Sequence, residues 1–75
     1  MDAERLKALF GNRVRELRLE RDLTQEELAE ATGLSVEYVS KIERGLGSPS
    51  FSVIARICNA LEAGPSGLFS SRART

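Results

Sequence analysis

The chain has 75 residues, which is room for one domain with one small hydrophobic core. Apolar residues make up 41% of it and charged residues 29%, as in ordinary soluble globular proteins, so a disordered or fibrous class is not favoured. Eleven basic and eleven acidic residues cancel. Any surface for a strongly charged partner must therefore be a local patch on a neutral molecule.

Composition also argues against a membrane protein and against most enzymes. No run approaches the ~20 apolar residues of a membrane span, and the N-terminus lacks the apolar core of a signal peptide, so we expect a cytoplasmic protein. The chain has no histidine and one cysteine, Cys58, which excludes an internal disulfide and histidine-based metal or catalytic sites. We expect no enzyme activity, metal or cofactor, and interpret Cys58 as a core residue.

Apolar residues recur at helical spacing near both ends of the chain. The first helix is predicted from about Asp2 to Arg21, with an apolar stripe of Leu6, Leu9, Phe10, Val14 and Leu17. Another helix is predicted from Ser50, with a buried face of Phe51, Ile54, Ile57, Cys58 and Leu61. A last short turn then carries Leu68 and Phe69, and we expect 70–75 to be a disordered tail after a domain of 1–69.

Two short helices are predicted between these, each with a polar cap before it and a glycine after it. They run from about Gln25 to Thr32 and from about Val36 to Arg44. The caps are Thr24, which forms a capping box with Glu27, and Ser35; the glycines are Gly33 and Gly45.

The junction of the two short helices carries a small residue, a glycine and inward apolar residues in the order that a tight helical turn requires: Ala29, Gly33, Leu34, Val39 and Ile42. With LTQEELAEATGLSVEYVSKIERG followed by PSFSVIARICNALEAGPSGLF, this junction resembles the helix-turn-helix of the XRE family, which includes Cro and the lambdoid phage repressors. The resemblance covers about 9–69. It implies an all-α, five-helix, lambda-repressor-like DNA-binding domain whose helix-turn-helix is formed by helices two and three.

In this fold the start of the third helix faces base edges in the major groove of double-stranded DNA. The matching residues are Val36, Glu37, Tyr38, Ser40 and Lys41. Lys41 can donate to guanine, Glu37 can accept from cytosine, and Val36 can pack on a thymine methyl. The alternative is that Glu37 and Lys41 form an ordinary i, i+4 pair on a solvated helix face.

Phosphate contacts are expected around the same helix. Gln25 begins the second helix, where free amides favour an anion, and the resemblance implies that it holds a backbone phosphate. Thr24 is both cap and candidate phosphate donor, and Arg44 can either reach the backbone or complement its helix dipole. The following loop offers one hydroxyl, Ser48, where relatives often carry a cation. Arg13 or Arg15 of the first helix is the candidate cation that compensates for it.

The remaining assignments also follow from the resemblance. Arg18 and Glu43 match positions that form a buried ion pair in relatives. Glu26 and Glu30 are either a solvated face or a contact for RNA polymerase. A homodimer on a palindromic operator is expected. Its interface is expected at the end of helix four and at helix five, with one further candidate that lies off the apolar stripe of helix four: Ala63, Pro65, Leu68 and Phe69, and then Val53. Core packing is the alternative for Leu68 and Phe69.

We therefore predict a sequence-specific transcriptional regulator without an effector domain, similar to restriction-modification controller proteins and small phage repressors. The alternative is an antitoxin or adaptor that mainly binds a protein, for which an exposed apolar patch is the expected sign.

Overall fold

The computed structural model describes residues 1–62, which form four α-helices and no strand. They are α1 (Ala3–Glu20), α2 (Gln25–Thr32), α3 (Val36–Glu43) and α4 (Phe51–Leu61). Where the sequence predicted a helix end, the observed end lies within one residue of it. Where the two differ, the residue predicted as the helix terminus is the cap that flanks the helix. The predicted fifth helix and the tail lie outside the described residues.

The predicted caps form as expected. The Thr24 hydroxyl accepts from the Glu27 amide at 3.0 Å, and the Glu27 carboxylate accepts from the Thr24 amide at 2.8 Å. Ser35 accepts from the Tyr38 amide at 3.1 Å at the start of α3. Gly33 has φ +74°, the left-handed conformation that ends α2 without a steric penalty.

One hydrophobic core lies between the four helices. α1 and α2 each pack against α3 and α4. The buried members of the core are Phe10, Val14, Leu17, Leu28, Ala29, Val39, Ile42, Ile57, Cys58 and Leu61. Burial raises the pKa of the Cys58 thiol, which is consistent with its predicted role as a core residue.

The end of α3 approaches α1 more closely than any side chain would allow. A Cβ on Gly11 would collide with the carbonyl oxygen of Ile42, and one on Gly45 would lie 3.0 Å from the Ala8 Cα atom. Both glycines therefore act at a close approach of two backbones. This contact sets the position of α3 relative to α1.

The predicted apolar faces of α1 and α4 are only partly buried, and the prediction that Phe51 is buried was wrong. Phe51 is 89% exposed, and Leu6 and Leu9 are 45% and 48% exposed. Leu6 and Phe51 instead flank an apolar groove of about 280 Å³ between the N-terminal ends of α1 and α4. Helical periodicity predicts which face of a helix is apolar. Here the helices cross in such a way that the ends of that face extend beyond the core.

Within 1–62, no helix is both long enough and apolar enough to cross a bilayer.

Candidate nucleic-acid interface

The two sides of α3 have different environments. Val39, Ile42 and Glu43 are buried against the rest of the domain. Val36, Glu37 and Lys41 are exposed, with Val36 at 37%. Neither charged residue takes part in an ion pair within the described part of the chain, so the i, i+4 pair that was the alternative interpretation is not formed. One side of α3 thus offers an acceptor, a donor and a methyl surface to a partner.

Tyr38 and Ser40, the other two predicted base-contacting residues, are less accessible than the pattern suggested. Both are half-buried, and Tyr38 packs against the core. The Tyr38 ring lies beside the loop after α3, where its Cε1 atom would be 3.6 Å from a Cβ on Gly47. The Tyr38 side chain therefore lies close to that loop, and any contact with DNA would use the part of the ring that remains exposed.

The start of α2 lies next to the end of α3. Gln25 is half-buried, and its Nε2 donates to Glu43 Oε1 at 3.1 Å. Thr24 is exposed, and its oxygen already accepts from the Glu27 amide, which leaves the hydroxyl proton able to donate. Both predicted phosphate ligands on α2 are therefore at the same helix end, where the backbone amides and the helix dipole favour an anion.

Arg18 and Glu43 form a bidentate ion pair in the interior. Arg18 Nε donates to Glu43 Oε2 at 2.7 Å, and Nη2 donates to Oε1 at 3.1 Å. A third nitrogen of Arg18, Nη1, donates to the Leu23 carbonyl at 2.7 Å. The side chains are 9% and 2% exposed. This pair joins α1, the turn before α2 and the end of α3.

The remaining predicted phosphate ligands lie on and after α3. Arg44 is exposed, and its Nε donates to the Ser40 carbonyl at 3.3 Å. This contact is the one expected if Arg44 complements the dipole of α3 rather than binding a phosphate. Ser48 is exposed in the loop before α4. Arg13 is buried and its Nη1 bonds to Glu16 at 3.0 Å, whereas Arg15 is exposed. Of these two arginines, Arg15 is therefore the one that can compensate for the missing loop cation.

Other predicted contact residues have a simpler placement. Glu26 and Glu30 are exposed on α2. Val53 is half-buried and packs against the core, so little of it is available to a second subunit. The other predicted dimer residues, Ala63, Pro65, Leu68 and Phe69, lie outside the described residues.

Sequence reasoning missed two features of this region. One is the hydrogen bond from Gln25 to Glu43, for which no local signal exists because the residues are 18 positions apart. The other is the close approach at Gly11. A glycine inside a helix costs about 1 kcal/mol relative to alanine, so its presence was a usable signal for tight packing.

The sequence pattern of a family described as helix-turn-helix matches residues 14–68. The chain belongs to this family. The match includes α2, α3 and α4 together with the C-terminal part of α1, so it covers the elements that carry the exposed side of α3 and the start of α2. The expected XRE-type resemblance is thereby confirmed.

Two relatives indicate the range of proteins that share this sequence. The chain is 39% identical over 64 residues to control protein C.BamHI of Bacillus amyloliquefaciens, covering 84% of this chain and 79% of that protein. It is 43% identical over 51 residues to the immunity repressor protein of Bacillus phage phi105, covering 68% of this chain. The matched part is 35% of the phage repressor's length.

Solved structures share the fold. The restriction-modification controller protein C.AhdI of Aeromonas hydrophila superimposes with a TM-score of 0.81 at 41% identity, covering 84% of this chain and 96% of the other. The clp gene regulator ClgR of C. glutamicum gives 0.83 at 34% identity, covering 85% and 82%. The chain is therefore a helix-turn-helix protein of the DNA-binding, transcription-regulating type.

Proposed function

We propose that the chain binds a palindromic operator as a homodimer and regulates transcription there, with α2 and α3 as the helix-turn-helix and α3 in the major groove of each half-site. The observation that carries this proposal is the exposed side of α3, whose Glu37 and Lys41 are unpaired within the described residues. It lies beside an α2 N-terminus that is bonded to the end of α3. The proposed reading surface and the proposed phosphate-binding helix end are thus joined by a hydrogen bond between α2 and α3.

Base recognition is assigned to the exposed side of α3. Lys41 donates to guanine O6 or N7, Glu37 accepts from cytosine N4, and Val36 packs on a thymine methyl. Tyr38 and Ser40 contribute from the edge of this surface, since both are half-buried. The three most exposed residues therefore offer a methyl surface, an acceptor and a donor. Discrimination between bases requires such differences in chemistry.

Phosphate binding is assigned to the residues around that surface. Gln25 and Thr24 bind one phosphate at the start of α2, and Arg44 and Ser48 bind the DNA backbone from the end of α3 and from the loop after it. Such contacts set the orientation of the protein on the duplex and carry no direct sequence information. With one cation among these four side chains, we expect a weak salt dependence compared with strongly basic DNA-binding domains.

The direct test is selection of binding sites from random duplex DNA with the full chain. The expected result is an enriched sequence with two-fold symmetry and half-sites about 34–36 Å apart, one helical turn. Enrichment of an asymmetric site would overturn the palindrome, and no enrichment after repeated rounds would overturn sequence-specific binding.

The homodimer is tested separately by analytical ultracentrifugation over a dilution series, with and without the selected duplex. The wild type is expected to be dimeric at micromolar concentration, and its melting temperature is expected to rise with protein concentration. Phe69→Asp is expected to shift the mass towards the monomer. A wild type that stays monomeric both free and on DNA would contradict the dimer and the palindromic site together.

The apolar groove between α1 and α4 favours the second candidate, an antitoxin or adaptor whose main partner is a protein. Its rim residue Phe51 is 89% exposed, and such exposed apolar surface often marks a protein contact. The selection separates the two functions, because a regulator is expected to yield a tightly bound duplex and an adaptor with secondary DNA binding is not. Phe51→Ser then tests the groove: if DNA regulation is the main activity, this variant is expected to retain its melting temperature and its affinity for the selected duplex.

A further inference from the structure

We infer that Glu43 is a positioning residue for DNA binding, which fixes the Gln25 carboxamide with its nitrogen in place before DNA arrives. The inference rests on the proposed function, in which Gln25 binds a backbone phosphate. It adds a buried carboxylate that touches no DNA and acts through a neighbouring side chain.

The contact that carries the inference joins two helices. Gln25 Nε2, at the start of α2, lies 3.1 Å from Glu43 Oε1, at the end of α3. The Glu43 side chain is 2% exposed, so solvent hardly competes for its oxygens. The Gln25 side chain is half-buried, with its nitrogen bonded inward.

The chemistry of the two groups determines the orientation of the amide. An ionised carboxylate only accepts hydrogen bonds, whereas a carboxamide has a donor end and an acceptor end. Glu43 therefore selects the nitrogen end of Gln25, since the carbonyl end would be repelled. The nitrogen carries two hydrogens, and the bond to Glu43 uses one. The second N–H can then donate to a phosphate oxygen without any rearrangement.

Glu43 can do this because it is itself held in place. Both of its oxygens accept from Arg18, at 2.7 and 3.1 Å, and Arg18 also bonds to the Leu23 carbonyl just before the cap of α2. The end of α3 and the start of α2 are therefore tied to the same guanidinium. A Gln25 side chain anchored to this unit loses less rotational freedom on binding than a free one, and preorganisation of this kind raises affinity.

The test is a double-mutant cycle on DNA affinity, measured by fluorescence anisotropy with the duplex obtained in the selection. The variants are Gln25→Ala, Glu43→Gln and the two together, each at a temperature where circular dichroism shows it folded. We expect Glu43→Gln to weaken binding by about 3- to 10-fold in the wild type, the effect of freeing one long side chain. In the Gln25→Ala background we expect less than about a 2-fold effect, because the positioned group is gone.

A purely structural role gives a different result. If Glu43 acts only by supporting α3, its replacement weakens binding by the same factor with and without Gln25, and the inference is overturned. It is also overturned if Gln25→Ala leaves affinity unchanged. Glu16→Gln is the matched control: Glu16 also bonds to an arginine of α1, at 3.0 Å, but does not contact Gln25, so its effect is expected to be additive.

A second pair of variants covers the case in which Glu43→Gln does not fold. Arg18→Met with Glu43→Met removes both charges, so no buried charge is stranded. The same double-mutant cycle is then measured between this double replacement and Gln25→Ala. A non-additive effect on DNA affinity again supports the inference, and an additive effect overturns it. Failure of the inference is distinct from failure of the proposed function, because the latter would leave no selected duplex, whereas the former leaves wild-type binding intact.

Discussion

The two sides of α3 show how one short helix can serve the fold and at the same time leave a side exposed for the proposed binding surface. On the buried side, Val39 and Ile42 belong to the core and Glu43 pairs with Arg18. Val36, Glu37 and Lys41 lie on the exposed side, and neither charged residue forms an ion pair within the described residues. Changes on the first side should affect stability, and changes on the second should affect DNA recognition. The following predictions test that division.

The largest effect is expected at the buried ion pair. Arg18→Met strands the Glu43 carboxylate in the interior and removes the donor to the Leu23 carbonyl, so we expect a loss of about 3–5 kcal/mol in the free energy of unfolding. Urea denaturation of the full chain measures it. Adding Glu43→Met should recover most of the loss, and a double variant as unstable as the single one would show that charge burial is not the cause.

A matched pair of valines gives the next largest effect. Val39→Ala deletes two buried methyl groups and leaves a cavity, which should cost about 2–3 kcal/mol of stability. Val36→Ala, three residues away on the exposed side, should change stability by less than about 0.5 kcal/mol. Thermal melting of both variants checks this. Equal losses would mean that the two sides of α3 are not separated as the structure describes.

The last prediction concerns DNA recognition by the exposed side of α3. Lys41→Ala and Glu37→Ala should each cost about 1–3 kcal/mol of binding free energy on the selected duplex, and should change which operator positions matter. The measurement is a repeat of the selection together with titrations on duplexes carrying single base changes. Equal weakening on selected and random DNA would instead assign these side chains to non-specific contact.

The sequence by itself determined the local features of this protein. Helix starts at Gln25 and Val36, the caps at Thr24 and Ser35, and the left-handed glycine at position 33 depend on residues within three or four positions of one another. Such signals can be recognised directly from the residue pattern. Together these signals also indicated the family, because the spacing of residues at the junction of the two short helices is itself local.

The tertiary structure alone decided which side chains meet across the fold. The bond from Gln25 to Glu43, the half-burial of Tyr38, the burial of Arg13 and the exposure of Phe51 all depend on how helices cross. Periodicity specifies the direction of a side chain around its own helix but not how far the neighbouring helices extend over it. For that reason the positioning of Gln25 by Glu43 could not be predicted before α2 and α3 were placed side by side.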